Sequence, residues 1–391
     1  MKVYYIAQNQ LWVAEAGHER AIPCGAVEGF KRNLMEIAKR GEWKKSGAGA
    51  VFMGVAEGPL QAEHIQAGVR AVLPLEGGRI CYAAALEDNC GLYIKPELDC
   101  ELSAEGYVVR KNGMWIYDLD RSAQDGKIIA SVSDGAHQRH LALMREDSTA
   151  VDIITEGESI DLAPRFSRQR AGLVHYASAG IYVDLQSGAV HSDSLSVLAL
   201  DMATGEVETV LQGGEFDYLR PGQSVDGWLY YIRRPHGSGR GKGPSIGDVA
   251  MAPLRVIKAV GGWLNFFTQR YAGESLTKQS GGVNPGKYSN KSDREIFIDG
   301  NLIDVEKTLK ENARQGDQHP GLAPRSWELM RMSPSGAHES VRKGVIDYAF
   351  GPDGAIVYSN GRYILSLDVE GKEEALCRAN VATGLACEGE L

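Results

Sequence analysis

The sequence lacks the patterns that most directly indicate a catalytic or metal centre. Its six cysteines form no C-x-x-C pair, the spacing that metal and redox motifs need. A nucleophile elbow needs Gly-x-Ser-x-Gly, but the nearest match, around Ser224, has aspartate in place of the last glycine. His137 and His140 fit an ordinary turn, and His175 fits a structural histidine within a strand. We therefore predict no catalytic residue, no metal site and no cofactor.

Basic charge and long apolar runs are also scarce. The net charge of −9 argues against a nucleic-acid partner, because phosphate binding needs a basic face. No run of about 18 apolar residues could span a membrane as a helix, and residues 1–5 do not begin a signal peptide. We expect a cytoplasmic protein with reduced thiols and no transmembrane segment.

Glycine, by contrast, is abundant, with 47 residues in the chain of 391. Residues 345–377 contain four short apolar runs, which are separated by Pro352-Asp353-Gly354, Asn360-Gly361 and Glu370-Gly371. Each run suits a β-strand, and each turn supplies the backbone angles of a tight reversal. Four antiparallel strands joined by hairpins make one blade of a β-propeller.

The two ends of the chain predict how the ring of blades closes. Residues 2–24 hold three strand-like runs, and residues 381–387 supply the missing fourth. A blade built from both termini removes the open sheet edge. Residues 106–155 hold more than four strand-like runs, so the blade count stays open. We predict an all-β fold over residues 1–391: one β-propeller of six, alternatively seven, four-stranded blades, with helical insertions.

Two segments interrupt the strand pattern. In residues 25–45, apolar residues recur at the three- and four-residue spacing of an amphipathic helix. Residues 236–325 form an insertion within the fifth blade. We predict that it is partly helical and partly flexible, with a helix near residues 254–271, a Gly/Ser/Lys-rich stretch, and a short strand and helix towards its end.

The predicted helix of the insertion carries the candidate binding residues, which combine bulky apolar and basic side chains. These are Leu254, Arg255, Ile257, Lys258, Trp263, Phe266, Phe267 and Arg270. Three interpretations stay open. The helix packs on the protein itself, binds a partner protein as an amphipathic helix in a groove, or lies on a membrane surface.

Carboxylates in the predicted innermost strands are the candidate channel-lining residues. They are Asp161, Asp217 and Asp347, with Glu19 as a further candidate. A buried carboxylate needs a cation, water or hydrogen-bond donors. The alternatives are the lining of a water-filled channel, a ligand or metal site, and catalysis.

The last repeat resembles a known family. Pro352-Asp353-Gly354 before Ala-Ile-Val-Tyr, followed by the run from Arg362 to Asp368, is similar to the TolB-like (PD40, WD40-like) propeller repeat. Residues 127–155 and 161–201 resemble degenerate copies. The resemblance implies the fold only, because members of this broad group range from binding scaffolds to gating domains of serine peptidases.

These observations favour one function and leave two alternatives. The leading hypothesis is a non-enzymatic propeller that acts as a protein-interaction scaffold and binds a partner protein through residues 236–325, because loops on a rigid scaffold commonly carry function. The first alternative is a small-molecule- or metal-binding propeller enzyme of lactonase or lyase type with a central-channel site. The second is a peripheral membrane-associated propeller.

Overall fold

The computed structural model describes residues 1–45, 65–134, 137–183, 190–237, 295–298 and 301–389. Within these residues the strands form six antiparallel sheets of blade type, together with one separate hairpin. The fold is a six-bladed β-propeller, as the repeat pattern predicts, and the alternative of seven blades is wrong.

The first three blades occupy the N-terminal half of the chain. Their strands are β1 (Lys2–Ala7), β2 (Gln10–Glu15), β3 (His18–Ile22), β4 (Ala67–Pro74), β5 (Ile80–Leu86), β6 (Asn89–Lys95), β7 (Gly106–Asn112), β8 (Trp115–Arg121), β9 (Ile128–Ser133), β10 (His140–Met144) and β11 (Asp152–Ile153). Helix α1 (Gly25–Lys45) lies between β3 and β4. Its first turns pack on the first and second blades through Val27 and Phe30.

The remaining blades follow in the same way. Their strands are β12 (Ser159–Phe166), β13 (Leu173–Val183), β14 (Val190–Ser192), β15 (Ser196–Asp201), β16 (Val207–Leu211), β17 (Phe216–Gln223), β18 (Leu229–Pro235), β19 (Glu295–Ile298), β20 (Asn301–Asp304), β21 (Glu328–Met332), β22 (His338–Lys343), β23 (Asp347–Phe350), β24 (Ile356–Ser359), β25 (Tyr363–Leu367), β26 (Glu373–Arg378) and β27 (Thr383–Cys387). Helix α2 (Val305–Arg314) follows β20.

The ring closes through a sheet that combines both chain ends. Its strand order is β27-β1-β2-β3, so the C-terminal strand is innermost and the N-terminal strands lie outside it. Val3 pairs with Cys387, and Ile6 pairs with Thr383. This closure is the one predicted from the incomplete first repeat. Because this blade takes strands from both chain ends, it is complete, and each of the six blades has at least four strands.

The surplus of strand-like runs in residues 106–155 has a simple origin. Strand β7, which contains the run from Tyr107 to Arg110, is the outermost strand of the second blade and pairs with β6. The third blade then has the four strands β8 to β11. Grouping β7 with the third blade was wrong, because alternation of residues along a strand does not tell which neighbour it pairs with.

Turn chemistry explains the tight hairpins. Gln8 and Asn9 both have positive φ, 53° and 61°, which matches the twist of the adjoining strands β1 and β2. Between β24 and β25, Gly361 has φ of 87°. There the Asn360 side chain accepts hydrogen bonds from the backbone N–H groups of Arg362 and Tyr363, at 3.0 and 2.9 Å. These local bonds fix the reversals on which the blade repeat depends.

The hydrophobic core consists of layers between neighbouring blades. One layer joins the second and third blades around Trp115 and Ile116. Another joins the fifth and sixth around Tyr230 and Tyr358. A third joins the closing blade to the sixth around Tyr5 and Leu385. Because each blade buries both of its faces, the innermost strands β4, β8, β12, β17, β23 and β27 are held around a central channel.

Candidate functional site

Five of the six innermost strands carry a pairing irregularity, and it falls where they border the channel. The register shifts at Arg70 of β4, Tyr117 and Asp118 of β8, Ala163 and Pro164 of β12, Arg220 and Pro221 of β17, and Gly384 and Leu385 of β27. A β-bulge bends its strand and re-aims the side chain of the extra residue. At this level of the ring, the bulges place charged side chains in the channel wall.

Two of the bulges hold a residue in an uncommon backbone conformation. Ala163 and Arg220 have φ of 47° and 50°, a left-handed conformation that costs a residue other than glycine about 1 kcal/mol. Each is followed by proline, Pro164 or Pro221, which disfavours the right-handed helical conformation at the preceding residue and lacks a ladder N–H. The prolines that follow Ala163 and Arg220 therefore favour these bulges through local sequence alone.

The channel contains a cavity of about 450 Å³. Its lining combines innermost-strand residues with residues from connections at one end of the ring, including Gln8, Asn9, Arg139, Leu195 and Asn380. A narrower pocket of about 30 Å³ adjoins it, and Arg70, Asp118 and Arg220 border both spaces. These three residues therefore lie at the junction between the wide and narrow parts of the channel.

Arginine dominates the charged groups of the cavity wall. Four arginines border the cavity: Arg70, Arg139, Arg220 and Arg234. Arg220 Nη1 lies 3.7 Å from Asp118 Oδ1, and its Nε lies 3.4 Å from Asp347 Oδ1. The Arg139 guanidinium carbon lies 4.2 Å from the centroid of the Tyr117 ring, in cation–π geometry.

Aspartates near the channel also join neighbouring blades through the backbone. Asp118 of β8 accepts a hydrogen bond from the N–H of Ala163 on β12, at 3.1 Å. Asp347 of β23 accepts one from the N–H of Leu385 on β27, at 3.2 Å. These bonds satisfy buried N–H groups that the bulges release from the ladder. Both carboxylates thus have a structural role besides their contacts with Arg220.

Of the predicted channel carboxylates, the structure places Asp347 on the narrow pocket. Asp161 and Asp217 are buried and line neither the wide cavity nor the narrow pocket. Asp161 accepts hydrogen bonds from the hydroxyls of Thr155 and Ser178, at 2.6 and 2.7 Å.

Asp217 is surrounded by donors from its own and the preceding blade. Its Oδ1 lies 3.0 Å from the backbone N of Leu195 and 2.7 Å from His236 Nδ1, and its Oδ2 lies 3.3 Å from Arg234 Nε. Glu19, on the outermost strand β3, accepts a hydrogen bond from the Tyr5 hydroxyl at 2.9 Å.

Sequence reasoning missed the arginines of the cavity. Two of these arginines, Arg70 and Arg220, have a local signal in the sequence. Arg70 interrupts the apolar run of β4, and Arg220 precedes a proline inside a strand pattern. Arg139 and Arg234 give no comparable signal, because both lie at strand ends where charged residues are ordinary.

The described part of the insertion packs on the same end of the ring as the cavity mouth. The insertion connects β18 to β21, the second and third strands of its blade, and the Gln8-Asn9 turn and Arg139 occupy the corresponding connections of two other blades. The backbone N–H groups of Leu322 and Ala323 donate to the carbonyl of Asn360, at 2.8 and 3.0 Å. We call this end of the ring the insertion face.

The candidate binding residues of the insertion, residues 254–270, lie outside the described residues. The described flanks are the hairpin β19–β20, helix α2 and residues 315–327. Asn312 of α2 donates to the carbonyls of Gly321 and Ala323, at 2.8 and 3.1 Å. Ile303, Leu322 and Trp327 form an apolar cluster with Ile346 of the sixth blade.

Other groups considered from the sequence lie in structural settings. Ser224 occupies the β17–β18 turn, where its hydroxyl donates to the Trp228 carbonyl at 3.1 Å. Burial lowers the pKa of His175 to about 4. Among the described residues, no group of three or more His, Cys, Asp or Glu side chains could hold a metal ion. None of the described helices is both long and apolar enough to cross a membrane.

The fold and the channel define a closed six-bladed β-propeller. Similar solved structures include TolB from Acinetobacter baumannii, with a TM-score of 0.51, 10% identity, and coverage of 99% of this chain and 67% of that chain. The match supports the fold-level resemblance to TolB-like propellers.

Two longer solved chains are also similar over part of their length. The tricorn protease matches with a TM-score of 0.46 and 10% identity over 96% of this chain, which spans 33% of the protease chain. A prolyl endopeptidase matches with a TM-score of 0.38 and 11% identity over 96% of this chain and 52% of that chain. No protein-family model matches the sequence, and no curated protein matches it.

Proposed function

We propose that the protein is a non-enzymatic β-propeller that binds a partner protein through its insertion face. The observation that carries the proposal is the docking of the insertion's C-terminal part on the ring through Asn360, beside the mouth of the channel cavity. Long insertions on a rigid scaffold commonly carry recognition. The ring supplies that scaffold. The described part of the insertion lies on the insertion face, and its residues are not needed to complete the blades.

The opposite face offers less material for recognition. Its connections run between first and second and between third and fourth strands of the blades, and none is longer than the ten residues 96–105. Two exposed apolar side chains lie there, Val225 and Val369, with 80% and 76% of their surface accessible. They stand in turns of two different blades and provide a matched control surface.

The test compares three forms of the full chain in affinity capture from native lysate, followed by mass spectrometry. These are the wild type, a variant with residues 238–294 replaced by a short Gly-Ser linker, and the double variant Val225→Ser, Val369→Ser. The expected result is a partner that the wild type and the double variant retain and the linker variant loses. The purified partner should then bind the wild type in a defined stoichiometry.

Three outcomes would contradict the proposal. A partner retained by the linker variant but lost by the double variant would place recognition on the opposite face. Turnover of a substrate by the purified protein would make it an enzyme. Flotation of the wild type with anionic liposomes in the absence of any partner would favour membrane association through the insertion.

A further inference from the structure

The channel cavity has the features of a ligand site in its own right. We propose that it binds a small organic anion, a carboxylate or a phosphate ester with an apolar body. This inference goes beyond partner binding and does not rest on it, because the described lining residues of the cavity belong to the propeller blades and their connections.

The size of the cavity fits a small molecule. Its volume of about 450 Å³ falls within the range of roughly 300–1,000 Å³ that is typical of sites for small ligands and cofactors. The adjoining pocket of about 30 Å³ has room for about one water molecule. A ligand would therefore enter from the insertion face and stop at the junction formed by Arg70, Asp118 and Arg220.

The charge of the wall favours an anion. Among the described lining residues of the cavity, four carry a guanidinium group and one, Asp118, carries a carboxylate. Asp217 and Asp347 lie behind the wall and contact Arg234 and Arg220. Arginine is therefore the predominant charged residue among the lining residues that the structure describes. Guanidinium groups stay charged at any physiological pH and bind carboxylate or phosphate through two parallel hydrogen bonds.

The arginines are held in place before any ligand binds. Arg220 contacts two aspartates and sits on a bulge with a left-handed backbone. Arg139 stacks on Tyr117, and the Arg234 guanidinium lies 5.4 Å from the centroid of the Trp327 ring. Strained backbone and fixed side chains are concentrated at binding sites, because preorganisation lowers the entropic cost of binding.

The remainder of the wall is apolar. Leu162, Ala177, Leu195 and Leu219 border the same cavity as the arginines. An apolar group on the ligand would remove this surface from water, whereas the anionic head would lie against the guanidinium groups. The cavity should therefore prefer an amphipathic anion to inorganic phosphate.

Isothermal titration calorimetry on the purified full-length protein tests this preference with four probes. These are phenyl phosphate, phenylacetate, neutral phenylacetamide and inorganic phosphate. At least one of the two phenyl anions should bind at least tenfold more tightly than phenylacetamide and more tightly than inorganic phosphate. Its affinity should fall as NaCl rises from 50 to 500 mM, because salt screens the charges. Comparing the two phenyl anions separates a carboxylate site from a phosphate site.

Matched arginine variants locate the binding. Arg70→Gln and Arg139→Gln should each lower the affinity for the anion about tenfold, because each removes one charge-assisted hydrogen bond. Arg110→Gln removes the same charge from an exposed position on β7, in the same blade as Arg70, and should leave the affinity unchanged. Circular dichroism melts of each variant verify folding. The linker variant lacking residues 238–294 should bind the anion like the wild type.

Two results would overturn the proposal. One is equal affinity of the wild type for the phenyl anions and phenylacetamide, a comparison that needs no variant. The other is equal weakening by Arg110→Gln and the two cavity variants, which would show non-specific attraction by surface charge. Neither result bears on partner capture at the insertion face, so the two proposals fail separately.

Discussion

Arg220 and Asp347 connect the fifth and sixth blades across the narrow part of the channel, with Arg220 Nε 3.4 Å from Asp347 Oδ1. Asp347 is 1% exposed and also accepts a hydrogen bond from the N–H of Leu385 on the closing strand. One buried carboxylate therefore joins strands β17, β23 and β27. Burying a charge is costly unless it is paired and hydrogen-bonded, so this arrangement ties ring closure to the cavity wall.

Replacing Asp347 by asparagine should destabilise the fold. Asp347→Asn keeps the shape of the side chain but removes the charge that faces the partly buried Arg220, and breaking a buried pair costs on the order of 3 kcal/mol. Urea unfolding followed by tryptophan fluorescence measures the loss. Glu374→Gln removes one carboxylate from an exposed position of the same blade and should change the free energy of unfolding by less than about 0.5 kcal/mol. Equal effects of the two substitutions would refute the role of the pair.

A second buried ion pair anchors helix α1. Lys95 Nζ donates to Glu105 Oε1 at 2.8 Å, and both side chains are nearly inaccessible. Glu105 Oε2 accepts a hydrogen bond from the N–H of Gly25, at 2.8 Å, and another from the Tyr82 hydroxyl. A carboxylate at a helix N-terminus satisfies an N–H that has no intrahelical partner. Glu105 therefore links the start of α1 to the second blade.

We expect Glu105→Gln to lower the free energy of unfolding by roughly 3 kcal/mol, because it leaves the Lys95 ammonium buried without a counter-charge. Hydrogen exchange should also speed up at the first turns of α1 more than in the sixth blade. Glu101→Gln, an exposed position in the same connection, serves as the control. Unchanged exchange in α1 would show that the helix is held by its apolar contacts alone.

His175 makes the fold sensitive to acid. Burial lowers its pKa to about 4, against about 6.5 for an unperturbed histidine. Below pH 6.5 the unfolded chain binds a proton that the folded chain excludes. The stabilisation is therefore complete above pH 6.5 and is lost as the pH falls towards 4.

Between pH 7 and pH 5 this one group should account for about 2 kcal/mol of lost stability. Urea unfolding at both pH values measures the loss in the wild type, in His175→Leu and in His18→Leu, whose side chain is exposed. The His175 variant should lose about 2 kcal/mol less than the wild type over this interval. The same pH dependence in all three proteins would assign the acid sensitivity to other groups.

The parts of the fold that depend on local chemistry were predictable from the sequence. The Asn360-Gly361 turn forms because asparagine accepts bonds from the next two N–H groups and glycine adopts positive φ. Strands β24 and β25 on either side of it follow from this reversal. Closure was also predictable, because an incomplete first repeat needs a strand from elsewhere.

The parts that depend on distant pairing were not predictable. Strand β7 alternates in the same way whichever blade it joins, so its assignment needed the ladder with β6. The cavity arginines come from three different blades, with Arg220 and Arg234 in the same one, and no spacing along the chain brings Arg70 near Arg220. Pro221 did mark a bulge, but only the closed ring shows that the bulge faces the channel.

The last prediction concerns the docking of the insertion. A Cβ on Gly321 would lie 2.4 Å from the carbonyl oxygen of Asn360, which accepts the hydrogen bonds of Leu322 and Ala323. Backbone cannot yield as a flexible side chain does, so Gly321→Ala should displace residues 319–325 from the sixth blade. We expect faster proteolytic cleavage after Arg314 and Arg325 and a loss of stability of roughly 1–3 kcal/mol.

Gly106→Ala provides the comparison, since a Cβ there would meet nothing within 4 Å. It should leave both proteolysis and stability close to those of the wild type. Limited trypsin digestion with mass spectrometry, together with urea unfolding, distinguishes the two variants. If Gly321→Ala is cleaved at the wild-type rate, the bonds to Asn360 do not hold the insertion on the ring, and the partner-binding face would have to be sought away from this contact.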